Sequence, residues 1–439
     1  MRRISMVKVC ALVLGISLLS LCNTYAQDVK PAAANSALPK DSRLAIIGDS
    51  ITEQKQYTKF METYLLACAG RKDMTVFQFG WGGERAGGFL SRLENDLSAF
   101  KPTAATTCYG MNDGSYVPYN DTIGGNYEKA MRAVLEKLKE AGVTQIVAGS
   151  PGAVDTKYFV KSPAVFGDKP AGEGYNENLR RLRDIDEKLA GELKTSFADV
   201  HTPLVDAMAK AKKEKGPDYD VCGRDGVHPG VNGHLIMAYA FLKALGCDGN
   251  IAEITVDMKN GAVASEGHKV LSSSAGKVEL ESVKYPFCFD ADPNQSNSTR
   301  SILPYVSFNQ DLNRFILKVK NLGSEKAKVS WGAETKEFTK TQLESGINLA
   351  AEFSKTPFDE NFSKIIQAVA AKQNFETLMI KGIVTQFRSL SEYTKNDAEL
   401  KGLFDTLKEK LIKIESKKDA DVKALIVPVK YSITVMPLP

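Results

Sequence analysis

Between residues 43 and 248 short apolar runs alternate with longer stretches of helical period, and no other feature of the sequence limits the fold as much. "RLAIIGDS" leads into "QYTKFMETYLLACAG", "MTVFQFG" into "GFLSRLENDLSAF", "TAATTCYG" into "NYEKAMRAVLEKLKEAG", and "VTQIVAGS" into "NENLRRLRDIDEKLAGEL". "TSFADVHT" and the helical "GHLIMAYAFLKALG" close the series. In the third helical stretch Tyr127, Ala130, Met131, Val134, Leu135 and Leu138 share one face, and Gly142 is a natural stop. Strands that are apolar throughout are buried on both faces. The pattern therefore predicts a parallel sheet with helices on each side.

At 439 residues the chain is longer than one core usually supports. After residue 249 the texture changes. "AEITVDM", "KVELESVKYPFCF", "NRFILKVKNLG" and "AKVSWGAETKEF" read as strands separated by turn signals. Two helical stretches follow, "NFSKIIQAVAAKQNFETLMIKGIVTQF" and "DAELKGLFDTLKEKLIKIE", the second with a capping box from Asn396 and Glu399. "KALIVPVKYSITV" reads as a strand returning to the preceding sheet. The expected organisation is a leader (1–26), a flexible Ala-, Pro-, Lys- and Ser-rich linker (27–41), an α/β domain (42–248) and a β-rich and helical accessory region (249–439).

The leader has the parts of a secretory signal: basic "MRRISMVK", apolar "VCALVLGISLLSLC", and small residues in "TYA" before Gln27. Cleavage after Ala26 would deliver the chain to the periplasm or the medium. Lipoprotein processing at Cys22 ranks second, because Leu21 is bulky where a small residue is preferred. The apolar run is shorter than the roughly 20 residues a bilayer span needs, and no later segment qualifies. Arg2, Arg3 and Lys8 account for three of the four net positive charges, leaving the remainder at +1. A nearly neutral chain has no global electrostatic reason to bind nucleic acid or an anionic membrane. Five cysteines remain after cleavage, an odd number without C-x-x-C spacing. Neither a disulfide framework nor a zinc-thiolate site is suggested.

Four stretches carry chemistry. "IIGDSIT" places Ser50 where the first strand meets a helix, at the sheet edge where open α/β folds bind ligands. A serine there is most often just an N-cap, and the G-x-S-x-G elbow of α/β-hydrolases is missing from the chain. "FGWGGERAGG" supplies glycines whose backbone N–H groups can approach a ligand, or simply form a tight turn. "YGMND" offers the Asn112 amide to an oxyanion, although Asn-Asp-Gly is also turn chemistry. In "CGRDGVHPGVNGH", Asp225 can meet its own neighbour His228 at Nδ1 and leave Nε2 free as a base. A metal reading needs more ligands, and His234 is more simply a packing residue of the closing helix. His201 and His268 have no comparable setting.

The order and spacing of these blocks resemble the SGNH (GDSL) hydrolase superfamily: "GDS" after the first strand, a glycine turn after the second, "GxND" after the third and "DxxHP" before the last helix. The resemblance covers residues 43 to 246. It implies a flavodoxin-like α/β/α sandwich and a carboxylic ester hydrolase without metal or organic cofactor. It further implies Ser50 as nucleophile, His228 as base oriented by Asp225, and an oxyanion hole of the Ser50 N–H, the Gly83 N–H and Asn112. Gly82 is the alternative register for the glycine. Gln78 stands where many members have Asn, and "YGMNDGSY" replaces the common "GTND". Trp81, Arg85, Tyr109, Asp113 and Tyr116 lie in or beside the blocks and are the expected substrate contacts, the aromatic ones suited to sugar rings. An acetyl ester on a carbohydrate is the leading substrate, whether small molecule or polysaccharide. A lipid ester with the helices around 361 to 387 as an apolar lid is the alternative. A non-catalytic glycan-binding protein on the same fold is the alternative of another class.

Overall fold

The computed structural model describes residues 38–439 apart from 162, 290 and 291, so the expected leader and Cys22 lie outside the described residues. Strands β1 (Arg43–Gly48), β2 (Thr75–Gly80), β3 (Ala104–Cys108), β4 (Gln145–Gly149) and β5 (Ser196–Ala198) form a parallel sheet in the order β2-β1-β3-β4-β5. Side chains alternate across it. Leu44 and Ile46 of β1 enter one core, while Ala45 and Ile47 enter the other. The first core is covered by α2 (Tyr57–Thr63), α6 (His201–Lys215) and α7 (Val231–Ala244). The second is covered by α3 (Ala86–Leu97) and α4 (Asp121–Glu140), and α5 (Ala171–Leu193) contributes to both. This is the α/β/α sandwich the alternation predicts. The alternation did not announce α6, because its buried face is short and partly alanine: Leu204, Ala207, Met208 and Ala211.

The remaining chain builds two further sheets. One has the order β13-β10-β6-β7, from β6 (Asn250–Asp257), β7 (Gly261–Ala264), β10 (Arg314–Lys320) and β13 (Ile347–Asn348). The other is antiparallel, β12-β11-β14-β9-β8, from β8 (His268–Ser274), β9 (Lys277–Ser282), β11 (Lys326–Trp331), β12 (Glu334–Thr339) and β14 (Val429–Pro437). The last strand does return, and it lies between β11 and β9. Two expectations need correction. β9 stops at Ser282, and the "KYPFCF" that follows is not a strand. Pro286 has no N–H for a ladder, and Phe287 and Phe289 pack instead on Phe60, Phe308 and Phe362. The helix Ala398–Ala424 is capped by Asp397, whose side chain accepts the Leu400 N–H, and not by Asn396. Asn396 ends a separate short turn of helix.

The helix Asp359–Met379 runs along the exposed edge of the parallel sheet, at β2. Its Phe362, Ile365 and Val369 join the first core, and Met379 with the following Ile380 and Val384 joins the second. Lys372 Nζ donates to the Val76 carbonyl at 2.6 Å, and the Gln78 N–H donates to Glu376 Oε2 at 3.0 Å. Side chains one helical turn apart thus occupy the backbone groups that an edge strand leaves open. Most of its large apolar residues are thus committed to these cores, whereas the lipase alternative expects residues 361 to 387 to form a lid; Leu378 is exposed.

Candidate active site

The sheet order reverses between β1 and β3, and the chemistry-bearing residues gather at the C-terminal ends of the strands near that switch point. β1 ends in Gly48, where an added Cβ would lie 2.1 Å from Thr52 Oγ1, so the turn into α1 (Ser50–Glu53) admits only glycine. Asp49 is the N-cap of α1 and accepts the Ile51 N–H at 2.9 Å. The serine is therefore not the cap, and its hydroxyl is available for other partners. Burial raises the Asp49 carboxyl to about 7.

Ser50 Oγ lies 2.8 Å from His228 Nε2. His228 Nδ1 lies 2.5 Å from Asp225 Oδ2. The other oxygen, Asp225 Oδ1, accepts the Val227 and His228 backbone N–H groups, each at 2.9 Å. The loop before α7 is thus folded around its own aspartate, the Asx-type turn that short polar side chains favour. Burial pushes this carboxyl up, but the backbone and ring N–H of His228 and the Val227 N–H outweigh it and hold Asp225 below its ordinary range. A charged carboxylate at Nδ1 fixes the tautomer, leaving Nε2 to accept the serine proton.

The glycine turn after β2 distinguishes its two registers. The Gly82 N–H is taken by the Glu53 carboxylate, which also binds Lys381 at 2.7 Å. Gly83 has φ +72°, a conformation suited to glycine, and among the described residues its N–H has no acceptor within the protein. Behind the turn Glu84 is buried between Arg92 and Tyr109, with Arg92 also binding Asp96 and the Phe79 carbonyl. Asn112, after β3, accepts from Tyr116 at Oδ1 (2.9 Å). Its Nδ2 donates to the Glu84 carbonyl at 3.1 Å and lies 3.5 Å from Asp49 Oδ2, beside the start of α1.

The expected substrate contacts divide. Arg85 is exposed and donates to Ser115, and Tyr116 is half-buried above Asn112. The half-buried Trp81 has Arg92 and Lys381 over its ring, both 5.0 Å from the centroid, so its π-face already serves cations. Asp113 is turned inward, accepting the Ala86 and Gly110 N–H groups, and burial raises its carboxyl to about 6. Tyr109 does not meet solvent at all. It is fully buried, packed on Phe89 and bonded to Glu84, so the expectation of a substrate contact there is corrected. β3 ends at Cys108, and Tyr109 still follows the core face of the strand.

The other histidines are structural. His234 is fully buried, its Nε2 bonded to Gln54 and its Nδ1 accepting the Tyr57 N–H, and burial lowers it to about 3. His201 bonds the Gly152 carbonyl, and His268 bridges Ser282 and the Ile251 carbonyl. All five cysteines 68, 108, 222, 247 and 288 are free thiols. Among the described residues no three His, Cys, Asp or Glu side chains group as metal ligands, and no described helix is long and apolar enough to cross a membrane. The sequence reading missed the Glu84–Arg92–Asp96 support and the approach of Thr385 and Arg388 to the glycine turn. Arg92 sits inside the quoted "GFLSRL", but nothing local marks residues 385–388.

Residues 46–236 match the model of the GDSL-like Lipase/Acylhydrolase family. A solved gut microbial diltiazem-metabolizing enzyme is 23% identical, with 92% of this chain and 100% of that chain covered at a TM-score of 0.69. Axe2, an acetylxylan esterase from Geobacillus stearothermophilus, is 22% identical, covering 48% of this chain and 97% of its own at a TM-score of 0.39. An alpha/beta hydrolase from the metagenome of Lake Arreo, Spain, is 19% identical over 48% of this chain and 97% of its own, with a TM-score of 0.37. No curated protein matches the sequence significantly.

Proposed function

We propose that this chain, whose residues 46–236 match the GDSL-like Lipase/Acylhydrolase family, is an ester hydrolase in which Ser50, His228 and Asp225 perform the reaction on short acyl esters, acetyl groups of carbohydrates foremost. The observation that carries this is the unbroken relay from Ser50 Oγ through the His228 ring to Asp225, at 2.8 and 2.5 Å. Ser50 Oγ attacks the ester carbonyl as its proton passes to His228 Nε2. The imidazolium, held by Asp225, then protonates the departing alkoxide and leaves an acyl-serine. Water attacks the acyl-serine with His228 again as base, releasing the carboxylic acid and restoring Ser50.

The negative charge of each tetrahedral intermediate falls to the Ser50 and Gly83 N–H groups and Asn112 Nδ2. One such donor is worth about 3 kcal/mol in the barrier. The Glu53 carboxylate on the Gly82 N–H favours Gly83 as the second donor. The commitment of Phe362, Ile365, Val369, Met379, Ile380 and Val384 to the two cores supports the short-acyl reading over a lipase with these helices as its lid. We further propose that the chain is exported, on the strength of its first 26 residues. Edman sequencing of the mature protein should then begin at Gln27.

Ser50→Ala should reduce turnover of 4-nitrophenyl acetate by about 10⁴-fold or more. Comparison of 4-nitrophenyl acetate with the palmitate ester separates the two enzyme readings, with the acetate expected to have the higher kcat/KM. A fluorophosphonate that labels the wild type and not the Ser50→Ala variant tests the nucleophile. A wild type that resists the reagent would favour a glycan-binding protein instead.

A further inference from the structure

Beside the glycine turn lies an open cavity of about 400 Å³ whose walls come from distant parts of the chain. Trp81, Gly82, Gly83 and Arg85 form one side, Ser91 of α3 lies along it, and Thr385 and Arg388 close the other. The last two follow the helix Asp359–Met379, so the C-terminal region completes a wall of the cleft next to the expected oxyanion position. Three arginines line this space, of which Arg92 is buried and paired with Glu84 and Asp96. Arg85 and Arg388 are both exposed, and each is held by a neutral hydroxyl, Arg85 by Ser115 at 3.1 Å and Arg388 by Ser91 at 2.8 Å. Among the described residues no carboxylate lies within salt-bridge distance of either, although the charge of Arg85 acts on the buried Asp113 carboxyl.

The nearby acids are committed elsewhere. Glu84 is buried against Arg92 and Tyr109, Asp96 against Arg92 and Thr385, and Glu53 binds Lys381 and the Gly82 N–H. Asp113 is turned inward onto the Ala86 and Gly110 N–H groups. Two guanidiniums oriented by hydroxyls, with no carboxylate in direct contact, are suited to a planar anion, which each can bind through paired N–H groups. The cavity is roomy enough for a sugar ring, and Gly83 is part of its wall.

We propose that Arg85 and Arg388 form a carboxylate subsite and that the preferred substrate is an ester on an acidic sugar. This rests on the esterase reading of Ser50. It assigns to the C-terminal region a role in choosing the substrate, since Arg388 lies outside the α/β domain. The arginines touch the non-reacting part of the substrate and act on binding and orientation rather than on the chemical step.

The test uses a matched pair of acetylated methyl glycosides, glucuronoside and glucoside, which differ only in a carboxylate against a CH₂OH. The full-length protein should have about tenfold higher kcat/KM for the acetyl glucuronoside, and the preference should shrink as salt rises from about 0.05 to 0.5 M. Arg388→Gln and Arg85→Gln should each lower the ratio of the two kcat/KM values by about fivefold or more, mostly through KM, and Arg388→Lys should recover part of it. An equal kcat/KM for the two glycosides in the wild type would overturn the subsite. So would a ratio indifferent to both Gln substitutions. Hydrolysis of 4-nitrophenyl acetate is the internal reference: its loss in the wild type would defeat the esterase reading, whereas its presence without glycoside discrimination defeats the subsite alone.

Discussion

Asp225 bonds its own histidine from three residues away, and that short distance lets a single loop position a base. Asp225→Asn keeps the shape but exchanges the carboxylate for an amide that can present its own N–H to Nδ1. The ring would then favour the tautomer with Nε2 protonated, which cannot accept the serine proton. A fall in kcat of about 10²–10⁴-fold is expected from steady-state kinetics on 4-nitrophenyl acetate. Asn112→Ala should cost about 10²–10³-fold in kcat with little change in KM, because the amide acts on charge present only in the transition state. A change confined to KM would assign Asn112 to ground-state binding instead.

At the scale of elements, the junction of β2 with the helix Asp359–Met379 is the unusual feature. Lys372 is fully buried and lies 2.8 Å from Glu62, 3.0 Å from Glu376, 3.6 Å from Glu415 and 3.5 Å from Asp419. Lys372→Met removes the cation these four carboxylates share and also the donor to the β2 backbone. Urea unfolding should show a loss of about 3–5 kcal/mol. Burial, only partly offset by Lys372, raises Glu376 from 4.5 to about 8 and Glu415 to about 6. A carboxyl raised in the fold binds its proton more tightly there than in the unfolded chain. Its contribution is full below about pH 4.5 and is lost as pH rises through 8. Replacing Glu376 by Gln should therefore flatten the decline in stability between pH 5 and 8, by up to about 1.4 kcal/mol per pH unit. Melting curves across that range measure it, and an unchanged slope would mean that Glu376 stays ionised in the fold.

At the scale of the molecule, residues 249–439 are interleaved with the α/β layer. β14, near the end of the chain, is the central strand of the five-stranded antiparallel sheet, and the preceding helices cover β2. A chain cut after residue 248 would expose the β2 edge and the apolar surface that Phe362, Ile365 and Val369 cover. It is expected to aggregate on size-exclusion chromatography, and a cut after 424 to lose the β9–β14–β11 pairing. A soluble, monomeric 38–248 fragment with native circular dichroism would show that the sandwich needs no cover.

Much of this was legible in the chain itself, because the relevant physics is local. The four apolar runs that became β1 to β4 had to be buried on both faces, and Asp225 and His228 are close enough in sequence to meet within one loop. The blocks around Ser50, Gly83 and Asn112 each follow a strand, so a parallel sheet brings them to one edge whatever the loops do. The burial of Tyr109, the Glu53 carboxylate that occupies Gly82, and the arrival of Arg388 beside the glycine turn were decided only by tertiary packing. Each depends on which elements lie side by side across hundreds of residues. A buried Lys372 reads in sequence like any lysine on an amphipathic helix, and only the edge strand and four carboxylates against it make it an interior charge.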